Sequence, residues 1–405
     1  MSETQKHTKP NVPNLRFPGF SGEWECCKLS TYLYENKERN RAGEFNKSDV
    51  LSVSGDCGVV NQIQLLGRSF AGKSVADYHI VRTGNIVYTK SPLKEYPYGI
   101  VKYNSGKDGI VSTLYAVYHH RENVNGRFVE HYFTSPQRTN RYFKPIVRIG
   151  AKHDMKIGNN EVLENTVLFP GLEEQNRITE LLDLIDQRIA IQNKVIEDLK
   201  KLKTALCTEL FSHGRTISTS FSEIGTYFSA DNLSKEELSD SGTECILYGE
   251  LFTTYGRVIT DVKSRTSRRI NNVTTLSQSN DLLFPASTTV DAISLISPSA
   301  IIKPGVILGG DMFGIRLSDK YNNQYMSNLL YYCYRYKLAS YAQGSTIIHL
   351  HYKDIEKIKI TVHPKENQDR IVAILALQDN RIANEQRIVN AYTNQKANLI
   401  RQMFI

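Results

Sequence analysis

The segment EEQNRITELLDLIDQRIA, which runs from Glu173 to Ala190, returns later in the chain as ENQDRIVAILALQDNRIA from Glu366 to Ala383. At an offset of 193 residues, 13 of the 39 aligned pairs between 173–211 and 366–404 are identical. The identical residues of the first copy are Glu173, Gln175, Arg177, Ile178, Leu182, Leu184, Asp186, Arg188, Ile189, Ala190, Lys203, Leu206 and Phe211. Self-similarity at a fixed offset indicates a duplicated architecture, so the chain is predicted to have two related halves.

Both repeated segments have the apolar spacing of a long coiled-coil helix, with residues alternating at three and four positions. The seam comprises Ile178, Leu182, Ile185, Ile189, Ile196, Leu199, Leu206 and Leu210 in the first copy and Ile371, Leu375, Ile382, Val389, Tyr392, Leu399 and Met403 in the second. Polar interruptions fall at Gln192, Lys203, Gln378, Glu385 and Lys396. Pro170 and Pro364 are typical of a helix start, and His213-Gly214 is typical of a stop. A helix of this length is about 58 Å long.

Two similar helices in one chain can pair with each other. If an internal two-fold axis relates the halves, the helices run antiparallel and one globular head lies at each end. The predicted fold is therefore α+β, with two mixed α/β recognition domains separated by a pair of long antiparallel coiled-coil helices and an internal pseudo-two-fold repeat. The predicted domains are residues 1–170, 171–212, 213–363 and 364–405. The alternative is that each helix is buried separately in its own domain, but neither head needs so long a helix.

The two heads, called head 1 (1–170) and head 2 (213–363) below, mix short β-like runs with helical stretches and polar turns. Predicted strands include Ile86–Thr89, Gly109–Tyr118, Ile246–Tyr248 and Ala300–Leu308.

The charge of the chain lies in the heads. The formal net charge is +8 and the pI about 9.0. The repeated segments contain 6 + 5 = 11 basic and 8 + 4 = 12 acidic residues, a sum of −1, which leaves +9 for the heads and linkers. Two basic heads joined by a nearly neutral rod suit a reader of two separated DNA patches.

The sequence argues against a membrane or secreted protein and against a fold held by zinc or disulfides. No run of 18 apolar residues exists, and the residues at the N-terminus are polar, so neither a membrane span nor a signal peptide is expected. The six cysteines form no CxxC pair, which disfavours a zinc ribbon or a disulfide scaffold and favours the cytoplasm.

Basic and hydroxyl residues crowd the predicted loops of both heads. Arg and Lys bind phosphates and read guanine edges, so these clusters are the candidate DNA contacts. In head 1 they are Arg39, Arg41, Arg68, Lys73, Lys90, Ser91 and Lys94, with Tyr96 and Tyr98 nearby; in head 2 they are Lys263, Arg265, Arg268, Arg269, Ser287 and Thr288, followed by Thr289.

No catalytic constellation emerges. Residues 67–74, GRSFAGKS, match the phosphate-loop pattern GxxxxGK[ST]. That loop needs a buried strand before it and a helix after it, and the chain leaves little room for the helix. The sequence contains no GxGxxG, no Asn/Asp-Pro-Pro-Tyr/Phe methyl-transfer tetrapeptide and no GxSxG. The paired histidines His119-His120 and His349/His351 have no partners at metal-ligand spacing, so no metal site is expected.

This layout resembles the specificity (S) subunit of type I restriction-modification systems over nearly the whole chain. The resemblance rests on the duplication and on the motifs that close each half. These are a glycine (Gly150, Gly344), a short β segment ending in proline (168–170, 361–364) and the Glu-x-Gln-x-Arg-Ile helix start. Gly84-Asn-Ile-Val and Asn280-Asp-Leu-Leu are similar to the family's Gly-Asp-Ile-Leu strand.

The resemblance implies a DNA-specificity subunit without catalytic activity, in which each head is a target-recognition domain that reads half of a bipartite site. The helices would set the spacing and dock two modification subunits. Their identical polar residues are the candidate interface: Glu173, Gln175, Arg177, Asp186, Arg188, Glu366, Gln368, Arg370, Asp379 and Arg381. The implied partners are double-stranded DNA, two modification subunits that methylate adenine with S-adenosylmethionine, and restriction subunits that use ATP and Mg²⁺. This chain itself is expected to bind no cofactor.

Two alternatives share parts of this pattern. A related two-subunit type II restriction-modification enzyme would have a similar recognition chain and would differ only in its partner. A nucleotide-binding scaffold with two heads would instead use Lys73 of the phosphate-loop pattern.

Overall fold

The computed structural model describes residues 11–149 and 155–405. The polar N-terminal residues 1–10 and Gly150, both used above, lie outside the described residues. The chain divides into two compact units. Unit 1 comprises residues 1–192 and 388–405, and unit 2 comprises residues 193–387. Each unit therefore contains one head together with parts of both repeated segments.

Eleven α-helices occur in the described residues. They are α1 (Gln62–Leu66), α2 (Gly126–Tyr132), α3 (Pro136–Phe143), α4 (Leu172–Ser212), α5 (Phe221–Ile224), α6 (Glu250–Thr253), α7 (Ala292–Leu295), α8 (Asn323–Cys333), α9 (Arg335–Ala339), α10 (Tyr352–Ile355) and α11 (Lys365–Met403).

The strands are short and belong to the heads. In head 1 they are β1 (Glu25–Lys28), β2 (Leu33–Glu35), β3 (Leu51–Ser54), β4 (Gly58–Asn61), β5 (His79–Val81), β6 (Ile86–Thr89), β7 (Val101–Tyr103), β8 (Gly109–Val111), β9 (Tyr115–His120), β10 (Arg148–Ile149), β11 (Met155–Lys156) and β12 (Thr166–Phe169). In head 2 they are β13 (Ile217–Ser220), β14 (Gly225–Ser229), β15 (Leu238–Ser239), β16 (Thr243–Leu247), β17 (Val258–Ile259), β18 (Ser264–Thr266), β19 (Asp281–Pro285), β20 (Ser287–Thr288), β21 (Ser299–Ile301), β22 (Ile307–Gly309), β23 (Met312–Leu317), β24 (Ile348–His349) and β25 (Lys359–Val362).

Head 1 is organised around β6, which has the bounds predicted for it. The main sheet has the strand order β2-β9-β6-β7, and its pairs are antiparallel. All four residues of β6 are buried, as expected for an interior strand rich in β-branched and aromatic residues. Val87 packs in one cluster with Val117, whereas Tyr88 lies in the large core and stacks on Phe143, with ring centroids 4.5 Å apart.

Head 2 has a larger sheet around β19, the strand that corresponds to β6 in the repeat. The order is β14-β23-β19-β21-β17, in which β17 and β21 are parallel. A second sheet has the order β15-β18-β16-β22. All five residues of β19 are buried. The two heads are thus both mixed α/β structures, but their sheets differ in size and strand order.

Both heads are closed by the same small sheet. In head 1, β1 pairs with β12, the strand directly before α4, with Glu25 opposite Phe169. In head 2, β13 pairs with β25, the strand directly before α11, with Ile217 opposite Val362. Because the first and last strands of each head are partners, each long helix leaves its head beside the point where the chain entered.

The two long helices, α4 and α11, carry a buried seam. In unit 1, Ile178 and Leu182 share a core with Ile400 and Met403. In unit 2, Cys207 and Phe211 share a core with residues 371 and 375.

One ion pair per unit joins the helices. In unit 1 the ammonium of Lys396 lies 2.6 Å from the Asp186 carboxylate, and in unit 2 that of Lys203 lies 2.5 Å from Asp379. In unit 1, residues 178 and 182 thus share a core with 400 and 403, while 186 pairs with 396. The predictions of an α+β fold and of two long helices are confirmed. Among the described residues, no helix is long and apolar enough to cross a bilayer.

Candidate nucleic-acid interface

One predicted group of cations in head 1 surrounds the segment before β5. The Arg39 guanidinium donates a hydrogen bond to the Asp77 carbonyl at 3.0 Å, and the Arg41 guanidinium lies 3.6 Å from the Asp77 carboxylate. The buried amide of Asn40 donates to the carbonyls of Phe45 and Val75 and so ties the two loops together. Arg41 remains exposed and able to reach a phosphate.

Arg68 and Lys73 belong to the loop that matches the phosphate-loop pattern. A short helix, α1, precedes this loop, and Gly67 ends α1 with a left-handed backbone at φ 76°. Residues 67–78 contain neither strand nor helix. A phosphate loop requires the opposite order, a strand before and a helix dipole after. The geometry therefore removes the support for the nucleotide-binding scaffold, whereas Arg68 and Lys73 remain exposed cations.

Lys90 is bound within head 1. Its ammonium donates to the Ile157 carbonyl at 2.9 Å and to Asn159 Oδ1 at 2.6 Å. Burial lowers the pKa of Lys90, although Glu35 and Glu161 oppose that shift. The side chain therefore holds the segment before β12 rather than pointing freely outward. Its neighbours Ser91 and Lys94 are exposed.

The predicted cations of head 2 lie on β18 and in the residues directly before and after it. Lys263 and Arg265 line one hollow of about 370 Å³ together with Asp240. Arg265 donates to the Gly242 carbonyl at 3.1 Å, and Arg268 lies 3.4 Å from the Glu237 carboxylate. These contacts fix the two guanidinium groups at the surface.

Lys263 and Arg269 are also exposed. The structure thus brings Lys263 and Arg265 together, and it places Arg268 and Arg269 in the loop that follows β18.

Ser287 and Thr288 form β20 and line a cleft of about 720 Å³ in head 2. Ser287 is buried, and Thr288 is half-buried. Thr289 also lines the cleft, as do two arginines that the sequence analysis did not single out, Arg257 and Arg335.

The two arginines of the cleft pack on a single aromatic ring. The guanidinium of Arg257 lies 4.1 Å and that of Arg335 4.6 Å from the ring centroid of Tyr331. Arg257 donates to Ser297 Oγ and to the Pro298 carbonyl, and burial lowers its pKa to about 10. The hydroxyl-lined cleft with two positioned cations suits phosphate oxygens or base edges. Ser287, Thr288 and Thr289 were predicted, but no local signal marks Arg257 and Arg335, because they come from segments distant from β20 in sequence.

The repeated glutamines at the helix starts are not exposed. Gln175 Oε1 accepts from the Asn125 amide nitrogen at 3.0 Å, and Gln175 Nε2 donates to the Pro170 carbonyl at 2.9 Å. Asn125 caps α2, and its side chain donates to Asn176 Oδ1 at 2.8 Å. Gln175 therefore fastens α4 to head 1 instead of facing a partner.

The same arrangement occurs in unit 2. Gln368 Oε1 accepts from the Asn322 amide nitrogen at 2.8 Å, and Gln368 Nε2 donates to the His363 carbonyl at 2.7 Å. Asn322 caps α8, and its side chain donates to Asp369 Oδ1 at 2.8 Å. We call these two arrangements the junctions. The asparagines are not part of the sequence match, so only the structure reveals their equivalence.

Asp186 and Asp379, predicted for the partner interface, instead carry the two interhelical ion pairs. Their partners Lys396 and Lys203 are two of the polar interruptions of the apolar seam.

Asp186 also belongs to a cluster with His131 and Asp183, whose ligand atoms lie within 4.8 Å of one another. Arg127 approaches Asp183 at 2.8 Å. Burial raises the pKa of Asp183, but hydrogen bonds from His131 and Arg127 outweigh it and lower that pKa. Protein cations thus already neutralise these carboxylates.

The remaining predicted interface residues do lie on the helix surface: Glu173, Arg177, Arg188, Glu366, Arg370 and Arg381. Between the arginines of each helix lies an exposed leucine, Leu184 with 54% and Leu377 with 69% of its surface exposed. These leucines are equivalent in the repeat. An exposed apolar residue kept in both copies marks a candidate contact surface.

The architecture defined here is similar to that of solved S subunits of type I restriction-modification systems. A solved structure from work on "complex assembly and conformational transition of the type I R-M system" is similar over 96% of this chain and 97% of that one, with a TM-score of 0.57 at 15% identity. The type I S subunit from M. genitalium is similar over 97% and 99%, with a TM-score of 0.55 at 14% identity. No curated protein matches the chain by sequence.

Residues 220–392 match the family model described as the type I restriction modification DNA specificity domain. The resemblance inferred from the repeat is thereby confirmed, and with it the function in DNA specificity. The matched region covers head 2 from residue 220 onward and the first part of α11.

Proposed function

We propose that this chain is a specificity subunit in which each head reads one half of a bipartite DNA site, while α4 and α11 set the separation of the half-sites. The observation that carries the proposal is the pair of junctions. The same glutamine and asparagine bonds fasten each helix to its head, although the two heads differ in sheet order. Because the attachment of helix to head is shared while the heads differ, two different recognition domains can be held in the same way on their helices.

We further propose that the exposed stripes of α4 and α11 dock two modification subunits. Arg177, Leu184 and Arg188 lie along one side of α4, and Arg370, Leu377 and Arg381 repeat that pattern on α11. Two equivalent stripes explain how two identical partners bind one asymmetric chain. Those partners would supply methyl transfer from S-adenosylmethionine to a flipped adenine, and restriction subunits would supply cleavage with ATP and Mg²⁺.

The first experiment maps modified adenines in a host without its own methylation. This chain is co-expressed with a type I modification subunit encoded beside it, and the genome is sequenced by a method that detects methyladenine. The expected result is a gapped two-part motif that disappears when this chain is omitted. A methylated genome without such a motif contradicts the assignment of the heads as sequence readers.

Head exchange tests the division of labour. Residues 220–363 are replaced by the matching head of another specificity subunit, and the motif is mapped again. One half-site should change and the other should stay. A change in both half-sites contradicts independent reading.

A heptad insertion tests the spacing role. Seven residues are added between Lys194 and Val195 and seven between Arg387 and Ile388. These equivalent positions lie midway between Asp186 and Lys203 in α4 and midway between Asp379 and Lys396 in α11. One heptad adds about 10 Å, or about three base pairs, to the unread gap. An unchanged gap with intact half-sites contradicts the spacing role.

Leucine-to-glutamate changes test the docking stripes. Leu184→Glu or Leu377→Glu alone should reduce the complex from two modification subunits to one, and the double variant should bind none, as measured by native mass spectrometry. Leu202→Glu is the matched control, because Leu202 is 52% exposed on α4 but has no leucine at its repeat position. Two bound subunits in the double variant contradict this docking site.

A further inference from the structure

A loop of head 1 presents apolar side chains to solvent. It comprises residues 62–73, which include α1, and is called the apolar loop below. Leu66 is 51% and Phe70 58% exposed, and Ile63 and Leu65 are exposed as well. Loops normally carry polar residues at such positions, so a cluster of this kind points to a binding surface.

The apolar loop is held in place by specific hydrogen bonds. Asn61 Oδ1 accepts from the amides of Ile63 and Gln64, and Asn61 Nδ2 donates to the Ser48 carbonyl at 2.6 Å. Gln62 Oε1 accepts from the Phe70 amide nitrogen at 2.6 Å. The backbone that carries Phe70 is therefore fixed while its ring remains in water.

The charge around the apolar loop favours a polyanionic partner. Residues 62–76 contain Arg68 and Lys73 and no aspartate or glutamate. The Arg68 guanidinium lies over the Phe70 ring, 4.6 Å from its centroid. Duplex DNA offers a partner to both kinds of side chain. Its phosphates lie on the outside and can bind the cations, and the apolar faces of its bases are stacked inside. A protein surface would have to supply both acids and an apolar pocket.

Head 2 has the same combination with different residues. In its loop 267–276, Val273 is 82% exposed and follows Arg268 and Arg269. Asn271 Oδ1 accepts from the Val273 amide nitrogen at 3.0 Å and so fixes that turn. Both loops precede the strand that the repeat matches, β6 in head 1 and β19 in head 2. An exposed apolar tip beside arginine thus occurs independently in two divergent heads.

We propose that the apolar loop is a wedge that inserts Phe70, with Leu66 four residues before it, between two stacked bases of the half-site bound by head 1. This inference rests on the proposed function as a DNA reader and adds a local distortion of the duplex to it. Arg68 and Lys73 would hold the flanking phosphates. Proteins that insert apolar side chains in this way partly unstack the step and bend the duplex.

The test uses the full complex and a duplex that carries the mapped motif. 2-Aminopurine replaces one base at a time across the half-site assigned to head 1, and its fluorescence reports unstacking. The position of the methylated adenine is omitted, because base flipping itself unstacks it. Wild-type protein should raise the fluorescence severalfold at one step. Phe70→Ala should abolish that rise and weaken DNA binding about tenfold, whereas Phe70→Trp should retain both.

Leu114→Ala is the matched control. Leu114 is 63% exposed in the same head, but residues 109–118 contain no arginine or lysine, so this variant should keep wild-type fluorescence and affinity. If the Phe70→Ala complex keeps the fluorescence rise and the affinity for DNA, or if its one defect is the loss of a bound protein subunit, the wedge proposal is contradicted while the proposed reading function stands. If wild-type protein yields no motif at all, the proposed function itself fails.

Discussion

Unit 1 and unit 2 agree where the helices meet the heads and differ where the heads meet solvent. Gln175 and Gln368 make the same bonds to capping asparagines, and an Asp–Lys pair joins the helices in each unit. The main sheets, in contrast, have four strands in one head and five in the other. The difference shows that this fold separates attachment, which is shared, from recognition, which is free to vary.

The units also differ in how the far end of a helix enters a head. Phe404 at the end of α11 packs edge-on or stacked against Trp24, Phe128 and Tyr132 of head 1. The equivalent Phe211 of α4 meets a single aromatic ring, Tyr325, at 5.4 Å.

In unit 1 the buried Arg138 links head 1 to the end of α11. Arg138 donates to the carbonyls of Ile400 and Ile405, and burial lowers its pKa to about 10. In unit 2, α4 runs on through Gly214 into β13, and His363 Nε2 donates to the His213 carbonyl at 2.7 Å. Side-chain contacts thus hold the end of α11 against head 1, whereas the end of α4 is joined to head 2 by the continuous backbone.

The largest predicted effect separates these two ends. Phe404→Ala should cost about 4 kcal/mol of the stability of unit 1, because it empties a site lined by three aromatic rings. Phe211→Ala should cost about 3 kcal/mol in unit 2, because it loses fewer contacts. Hydrogen exchange of β6 and β19 reports the two units separately in one chain. Equal losses, or a loss in the wrong unit, contradict the assignment.

The junctions should respond equally. Gln175→Ala and Gln368→Ala should each cost about 2 kcal/mol in their own unit, because each leaves the backbone amide of a half-buried asparagine without its acceptor and a buried carbonyl without its donor. Exchange of the same two strands measures the effect, and Arg177→Ala, an exposed change on the same helix turn, should leave both unchanged. A clear difference between the two glutamines would show that the junctions are not equivalent.

Acid should weaken head 1 selectively through His79 on β5. Burial, helped by the charges of Arg39 and Lys90, lowers the pKa of His79 to about 4 from 6.5. Between these values the unfolded chain binds a proton that the folded head does not. Stability is therefore complete above pH 6.5 and declines as the pH falls toward 4, by about 2 kcal/mol between pH 7 and 5.

Exchange of β6 at pH 7 and pH 5, corrected for intrinsic rates, measures this loss. His79→Gln should flatten the dependence in head 1, and β19 serves as the internal reference. A variant that keeps the full slope would place the titrating group elsewhere.

The smallest effect concerns the interhelical ion pairs. Lys203→Met and Asp379→Asn should each cost about 1 kcal/mol, since Lys203 is nearly buried but Asp379 is half-exposed and screened by solvent. A double-mutant cycle on Lys203 and Asp379 should give a coupling close to that for Lys396 and Asp186. Urea unfolding measures both cycles. Absent coupling in both would show that the seam packs without help from these charges.

Much of the scaffold follows from local pattern. The heptad spacing predicted both long helices, and Ile86–Thr89 has the bounds of β6 because a run of β-branched and aromatic residues between turns has few alternatives. The repeat also marked Gln175, Asp186 and Lys203 as special. It could not assign their roles, because identical residues are expected equally for a partner surface and for an internal joint.

The candidate interface was less predictable. Clusters of arginine near one another in sequence marked Arg41, Arg68 and Lys263, which are exposed. The same reasoning included Lys90, whose ammonium is bound to Ile157 and Asn159, and it missed Arg257. Exposure depends on which distant segment covers a side chain, and that is not visible in a local window.

The amino-acid sequence alone determined the duplication, the two helices and the division of charge between basic heads and nearly neutral repeated segments, because periodicity and charge are properties of the order of residues. Tertiary structure decided which repeated residues face inward and which capping asparagines form hydrogen bonds with Gln175 and Gln368. It also decided that Arg257 and Arg335 pack on the ring of Tyr331. Except for Arg335 and Tyr331, which are four residues apart, those contacts join residues separated by tens of positions, and only packing brings them within bonding distance.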